Sequence, residues 1–375
     1  MKSNGSRVFF GAALTAAVLM ASRAVPASSA KAERRRPPAG MVEVDGRFFP
    51  DFALLPPVPF PADNPPTPKK IQLGETLFKD KRLSGDGLLS CSSCHDPKLD
   101  FSDDFDRAHG RGGKELFRRT RSLKNVAYNT SFFWDGRAAT LESQFFDVLR
   151  SPDEMNMDPQ ALVERLKEVP AYRSRFQDVF GTEGISTRTI SYAVTAYERT
   201  LRVGDTILDE YLRGEVHDMV PPALAGMALF KGKARCIVCH NGPTLSDGKF
   251  HNTGFSPAKY AREDLGRERV DGSQASRRKF RTPMLRNSSR NTPYFHDGSV
   301  GNIEVMLDVY NRGGDVKEGL DPDIRPLHLT RRELLQLKTF LYYTAEKDSK
   351  RNRGNVVHNL SAQEEEIYRD SSASK

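Results

Sequence analysis

Cys91-Ser92-Ser93-Cys94-His95 and Cys236-Ile237-Val238-Cys239-His240 use all four cysteines of the 375-residue chain. Two thiols three positions apart lie on one side of a single turn. The histidine that follows is carried round to the same side. Such a unit can form two thioethers to one porphyrin and place an imidazole on its iron. Two CxxC pairs can also bind zinc, and two local disulfides would suit an oxidising compartment. Neither of these needs a histidine directly after the second cysteine in both copies. The reading that uses every residue is two covalently bound c-type haems, with Cys91, Cys94, Cys236 and Cys239 as attachment points and His95 and His240 as iron ligands.

Working outward from these motifs, the chain repeats itself. LGETLF (73–78) precedes the first motif, and GMALF (226–230) precedes the second. After the first comes FRRTRSLKNVAYNTSFFWDGR. After the second comes FRTPMLRNSSRNTPYFHDGS. The order is kept although the spacing is not: His95 to Asp135 is 40 residues and His240 to Asp297 is 57. Two copies of one unit predict a duplication. The segment between them is helical by periodicity, with Leu162, Val163, Leu166 and Val169 on one face and Pro170 as a stop, then further helical patterning over 185–201 and 206–212. No long alternating strand stands out. The expected fold is mainly α, two cytochrome c-like haem domains with long loops.

The ends are simpler. Lys2 and Arg7 precede a short apolar run, 8–20, and then small residues through Ala30. This is the pattern of a signal peptide over 1–30, too short for a comfortable membrane span. Residues 31–67 are rich in proline and arginine and predict an extended linker. The N-terminal haem domain is expected over 68–215, the C-terminal one over 216–346, and a polar tail over 347–375. No later stretch is apolar enough to span a bilayer, so the location expected is the periplasm or the medium. The formal net charge is +8 with 28 % charged residues. That serves solubility and mildly favours acidic partners. No nucleic-acid motif is present.

The chain also resembles the bacterial di-haem cytochrome c peroxidase family, which includes the MauG branch. The resemblance runs from about Ile71 to Thr344. It is carried by LGETLFKDKRLSGDGLLSCSSCH, FFWDGRAATLESQ, SPDEM, AYERTL, CIVCHNGPTLSDGKFHNTG, LRNSSRNTPYFHDGSV and VYNRGG. It implies unequal haems, with hydrogen peroxide reduced at the N-terminal one and the C-terminal one acting as electron relay. Trp134, the only tryptophan, is implied between the haems; its bland reading is a core aromatic. Gln144 and Glu154 match the distal-pocket pair. Gln144 would hold bound oxygen, and Glu154 would move a proton between the peroxide oxygens. Glu154 could otherwise be a solvated loop acid.

Tyr310 stands where classical members place a methionine as second ligand of the C-terminal iron, and where the MauG branch places tyrosine; its bland reading is a buried tyrosine that merely packs. Met306, four residues earlier, is at the wrong offset. A phenolate stabilises oxidised iron. His109 points the other way. It matches the histidine that caps the N-terminal iron at rest in classical peroxidases, or it is an exposed loop residue. The family also implies a calcium ion between the domains, held by backbone carbonyls near Asn291 and Pro293. The first-half asparagine expected there is replaced near Arg119-Thr120, and an arginine repels a cation. The implied partners are hydrogen peroxide and a small electron-donor protein (a cytochrome c or cupredoxin), with a homodimer allowed. The MauG-like alternative oxidises a protein substrate, as in maturation of a tryptophan-derived quinone cofactor. An alternative of another class is a non-catalytic di-haem electron carrier, against which Gln144 and Glu154 argue.

Overall fold

Thr67-Pro68 opens the first long helix. The Thr67 hydroxyl accepts from the Lys70 amide at 3.2 Å, and Pro68 has no amide to leave unpaired. The computed structural model describes residues 36–215, 219–255 and 263–346. The leader and tail expected at 1–30 and 347–375 lie outside them. The α-helices run in order: α1 Pro68–Phe78, α2 Cys91–Cys94, α3 Leu141–Arg150, α4 Pro159–Lys167, α5 Pro170–Phe180, α6 Thr187–Thr200, α7 Ile207–Arg213, α8 Pro221–Lys231, α9 Glu268–Asp271, α10 Ile303–Asn311 and α11 Arg331–Tyr343. The strands are β1 Met41–Val44 paired antiparallel with β2 Arg47–Pro50, and β3 Phe250–His251 paired antiparallel with β4 Phe280–Arg281. The mainly helical expectation holds. No described helix is long and apolar enough to cross a membrane.

The described chain from Pro37 onward is one compact unit holding two hydrophobic cores. In the first, α1 packs along α6 through Leu73, Leu77, Ile190 and Val194. In the second, α8 packs along α11 through Phe230, Leu337 and Phe340. The repeat explains the likeness. Gly74 of α1 meets the Ala193 carbonyl of α6, and Gly226 of α8 meets the Gln336 carbonyl of α11, with no room for a Cβ at either crossing. LGETLF and GMALF therefore share a glycine because each helix must lie against its partner's backbone.

The duplication extends to backbone torsions. Asn125 and Asn287 both have positive φ (62° and 67°), as do Phe133 and Phe295 (66° and 64°). Such values are rare for residues other than glycine. Two loops that share them at equivalent positions share one conformation. Each loop closes on an equivalent bridge, Phe132 to Ala138 and Tyr294 to Val300.

Three expectations need correction. Residues 31–67 are not simply an extended linker, since 41–50 fold into the β1–β2 hairpin. Phe52 then enters the second core, with ring centroids 5.5 Å from Phe230 and 5.6 Å from Phe340. Burying one such ring stabilises by about 1.5–3 kcal/mol, enough to fix a proline-rich segment that has no local reason to fold. Second, the helix expected to carry Val169 and stop at Pro170 ends at Lys167, and Pro170 occupies the first turn of the next helix with Val169 as its N-cap. Third, α7 precedes the boundary drawn at 215, yet Leu208 belongs to the second core.

Gly226→Ala is expected to cost about 1–3 kcal/mol by forcing α8 away from α11. Thermal unfolding of the haem-loaded protein checks this, and an unchanged midpoint would show that the helices do not need this close approach.

Candidate functional site: two haem sockets

Each CxxCH motif folds as one tight turn. His95 donates its backbone amide to the Cys91 carbonyl at 3.0 Å, and His240 does so to Cys236 at 2.8 Å. Ser90 braces the first turn, its amide donating to the Ser93 hydroxyl at 3.0 Å. All four thiols are unpaired, which sets aside the disulfide reading.

The imidazoles are oriented in the same way. His95 Nδ1 lies 2.9 Å from the Phe101 carbonyl oxygen, and His240 Nδ1 lies 3.0 Å from that of Leu245. A carbonyl only accepts, so Nδ1 carries the hydrogen and Nε2 keeps its lone pair. Phe101 and Leu245 both have positive φ, 56° and 55°, which turns their carbonyls onto the rings. Burial pushes the His95 pKa down and the His240 pKa to about 4. Both rings are then neutral near pH 7, the form that binds a metal.

The zinc reading meets a different donor set. Among the described residues, the one group of three metal-type donors within 4.8 Å of one another is Cys239, Asp247 and His251, which lacks Cys236. His251 lies 3.0 Å from Asp247 and 2.6 Å from Asp321. These partners raise its pKa to about 12 against the cost of burial. As an imidazolium between two carboxylates it has no lone pair to offer.

The second socket opens into a cavity of about 260 Å³ lined by Cys236, Cys239, His240, Met306 and Tyr310. Tyr310 and Met306 are one turn apart on α10, so the structure brings both candidate ligands to the socket. The Tyr310 ring stacks on Phe295 with centroids 6.1 Å apart. Burial raises its phenol pKa, so the free side chain is neutral and only a bound cation would hold the phenolate. Arg121 and Arg281 line the same cavity, and each keeps a buried guanidinium nitrogen with no protein partner. Neutral imidazoles, free thiols and unpaired guanidinium nitrogens fit a porphyrin with two carboxylate arms.

Around the first socket the surroundings are polar. The Cys94 thiol lies 3.7 Å from the His109 carbonyl oxygen. The charge of Glu154 helps raise the Cys94 pKa, after burial and Asp103. Burial in turn raises Glu154 above its ordinary range. The loops bearing His109 and Glu154 lock together. Arg111 donates its amide to the Asp153 carbonyl at 2.8 Å, and a Cβ on Gly110 would collide with that same carbonyl. Gln144 projects from α3, with its side-chain oxygen buried and without a protein partner. His109 Nδ1 is likewise buried and unpaired, and its ring packs on Phe105 at 4.3 Å.

Trp134 stands at the junction. Phe132 and Phe133 before it pack with the first core, while Trp134 lines the second socket's cavity. Its indole donates to the Arg119 carbonyl at 3.3 Å, and its own carbonyl accepts from the Arg281 amide at 2.9 Å. Arg121 covers the ring at 4.5 Å.

Sequence reasoning assigned no role to Arg121 or Glu198. Burial pushes the Glu198 carboxyl up to about 8; when ionised it adds to the burial that raises the Cys91 thiol pKa. The available signal was a carboxylate among the inward-facing residues of α6.

Two sockets of this kind in one chain define a di-haem c-type cytochrome. Comparison with known proteins narrows the class. The family model for di-haem cytochrome c peroxidase matches residues 68–217. The chain is 41 % identical over 287 residues to methylamine utilization protein MauG of Methylorubrum extorquens, covering 76 % of this chain and 80 % of that protein. It is 32 % identical over 255 residues to cytochrome c551 peroxidase of Nitrosomonas europaea, covering 68 % and 76 %. A crystal structure of a MauG-like protein associated with microbial copper homeostasis superposes with a TM-score of 0.74 at 31 % identity, covering 79 % of this chain and 95 % of that one. The diheme peroxidase BthA from Burkholderia thailandensis shares the fold, with a TM-score of 0.67 at 21 % identity over 82 % and 92 %. The chain belongs to the di-haem cytochrome c peroxidase family, and the haems expected from the CxxCH motifs are that family's two c-type haems.

Intact-mass measurement should find two covalent haems per chain. Cys236→Ala with Cys239→Ala should remove one of them and leave the first-socket spectrum in place; a double variant that still carries two would refute the assignment.

Proposed function

We propose that this chain is a periplasmic di-haem peroxidase that reduces hydrogen peroxide in the first socket. The observation that carries this reading is the inequality of the two sockets. Glu154, whose carboxyl pKa is raised by burial, acts on Cys94 of the first, and Gln144 of α3, the partner the resemblance gives it, keeps a buried side-chain oxygen without a protein partner. The second is lined by Tyr310 and Met306, side chains able to close it. A pure electron carrier gains nothing from the first arrangement, because a buried polar atom left unpaired costs about 1–3 kcal/mol.

When bound, the haems supply the redox chemistry of peroxide cleavage. The protein supplies the proton movement. Glu154 accepts the proton from the near oxygen of peroxide and returns it to the far one, so that water leaves rather than hydroxide. Gln144 fixes the peroxide by a hydrogen bond. Trp134, held between the cores, would carry charge between the sockets, and His109, whose Nδ1 is buried and unpaired, would be the residue to hold the first iron at rest. The haem domains are drawn at 68–215 and 216–346, with the hairpin, Phe52 and α7 packed on the second. The leader pattern supports export, and a small redox protein fits as electron donor.

A second reading is MauG-like oxidation of a protein substrate. Tyr310 favours it, since a phenolate makes the second haem harder to reduce.

Peroxidase turnover should fall as pH drops and Glu154 is protonated. Because its pKa is raised, that limb lies above the ordinary glutamate value of about 4.3. Glu154→Gln should abolish the limb and slow turnover by about 10²–10⁴-fold, whereas an unchanged profile would remove Glu154 from the mechanism. Tyr310→Phe should alter the low-spin EPR signal of the second haem; an identical signal would hand that role to Met306.

A further inference from the structure

Three oxygens of the second half converge on one side chain of the first. Arg119 Nη1 donates to the Asn291 carbonyl at 3.0 Å. Its Nη2 donates to the Asn291 side-chain oxygen at 2.8 Å and to the Thr292 carbonyl at 3.3 Å. Two carbonyls and an amide oxygen, all uncharged, are a donor set that calcium takes. Here they already surround a buried cation.

The repeat supplies a second copy. Aligning Leu123-Lys124-Asn125 with Leu285-Arg286-Asn287 sets Arg119 against Arg281, Asn129 against Asn291, and Trp134 against His296. The contacts obey that alignment crosswise. Arg281 Nη1 donates to the Asn129 side-chain oxygen at 2.7 Å, as Arg119 does to Asn291. The Arg281 amide donates to the Trp134 carbonyl at 2.9 Å, and the Arg119 amide to the His296 carbonyl at 2.9 Å. Each half therefore grips the other through one arginine, as in an isologous dimer interface.

From this exchange we propose that Arg119 and Arg281 form a built-in cationic clasp, and that Arg119 takes the place a calcium ion would hold at the junction of the two haem domains. A cation placed on the Asn291 and Thr292 oxygens would meet the guanidinium, which carries a fixed charge and offers five donors and no acceptor. Burial draws the Arg119 pKa down to about 10, so it stays charged at neutral pH. The functional consequence is permanence. The same residue receives the Trp134 indole hydrogen on its carbonyl, so the indole is positioned by a residue of the chain and not by an ion that a chelator can remove. The clasp does not depend on the peroxidase reading.

The test uses the haem-loaded protein, with calcium content, thermal unfolding and Soret circular dichroism measured before and after dialysis against EGTA. Wild type should hold far less than one calcium per chain, with melting and dichroism unchanged by EGTA or added calcium. Arg119→Asn, which returns a small oxygen donor to the site, should melt several degrees lower and recover saturably with calcium. A wild type that binds about one calcium per chain and loses stability in EGTA overturns the proposal. So does an Arg119→Asn variant that melts like wild type. Should that variant not fold, the chelation of wild type decides alone.

Discussion

Each proximal imidazole gives its Nδ1 hydrogen to a main-chain carbonyl, and the rest of the structure is arranged so that this bond can exist. The carbonyls belong to Phe101 and Leu245, whose positive φ values of 56° and 55° turn them onto the rings. With Nδ1 committed, Nε2 can only accept, and burial keeps it unprotonated. A ring free to rotate would pay for its orientation with each binding event. Here the loop has already fixed it. The helix pairs α1–α6 and α8–α11 supply the rigid floors against which these loops are held, and Gly74 and Gly226 let the pairs approach closely enough.

Onto this symmetric frame the chain builds asymmetry. The two loops after the sockets share their torsions, yet one presents Trp134 where the other presents His296. Near the first socket, the interlocked Gly110 and Asp153 loops bring His109 and Glu154 to one place. Near the second, α10 presents Tyr310 and Met306. The halves are joined by an exchange of like contacts, with Arg119 reaching Asn291 and Arg281 reaching Asn129. An exchange of this kind fixes the two halves in one register, because moving either half breaks both grips.

Much of this was legible in the sequence because its signals are local. The CxxCH spacing is a property of one turn, and helix periodicity is a property of a dozen residues. The motifs FWDGR, SPDEM and VYNRGG marked Trp134, Glu154 and Tyr310 through family resemblance. Proline content misled for 31–67, since it reports what a segment cannot do locally and says nothing of what its aromatic residues can bury elsewhere. Glu198 passed without a role because its sequence neighbours are ordinary helix residues; its altered ionisation comes from a pocket built by other elements.

By itself, then, the sequence determined the covalent chemistry and the duplication: which sulfurs and which imidazoles, on which turns, in how many copies. Those follow from bond lengths and the pitch of a single turn. Only the tertiary structure decided which oxygens face which charges. Arg119 and Asn291 are far apart along the chain, and a hydrogen bond reaches about 3 Å. Whether they meet depends on how two helical floors and the loops above them pack, and the intervening residues do not encode that one by one.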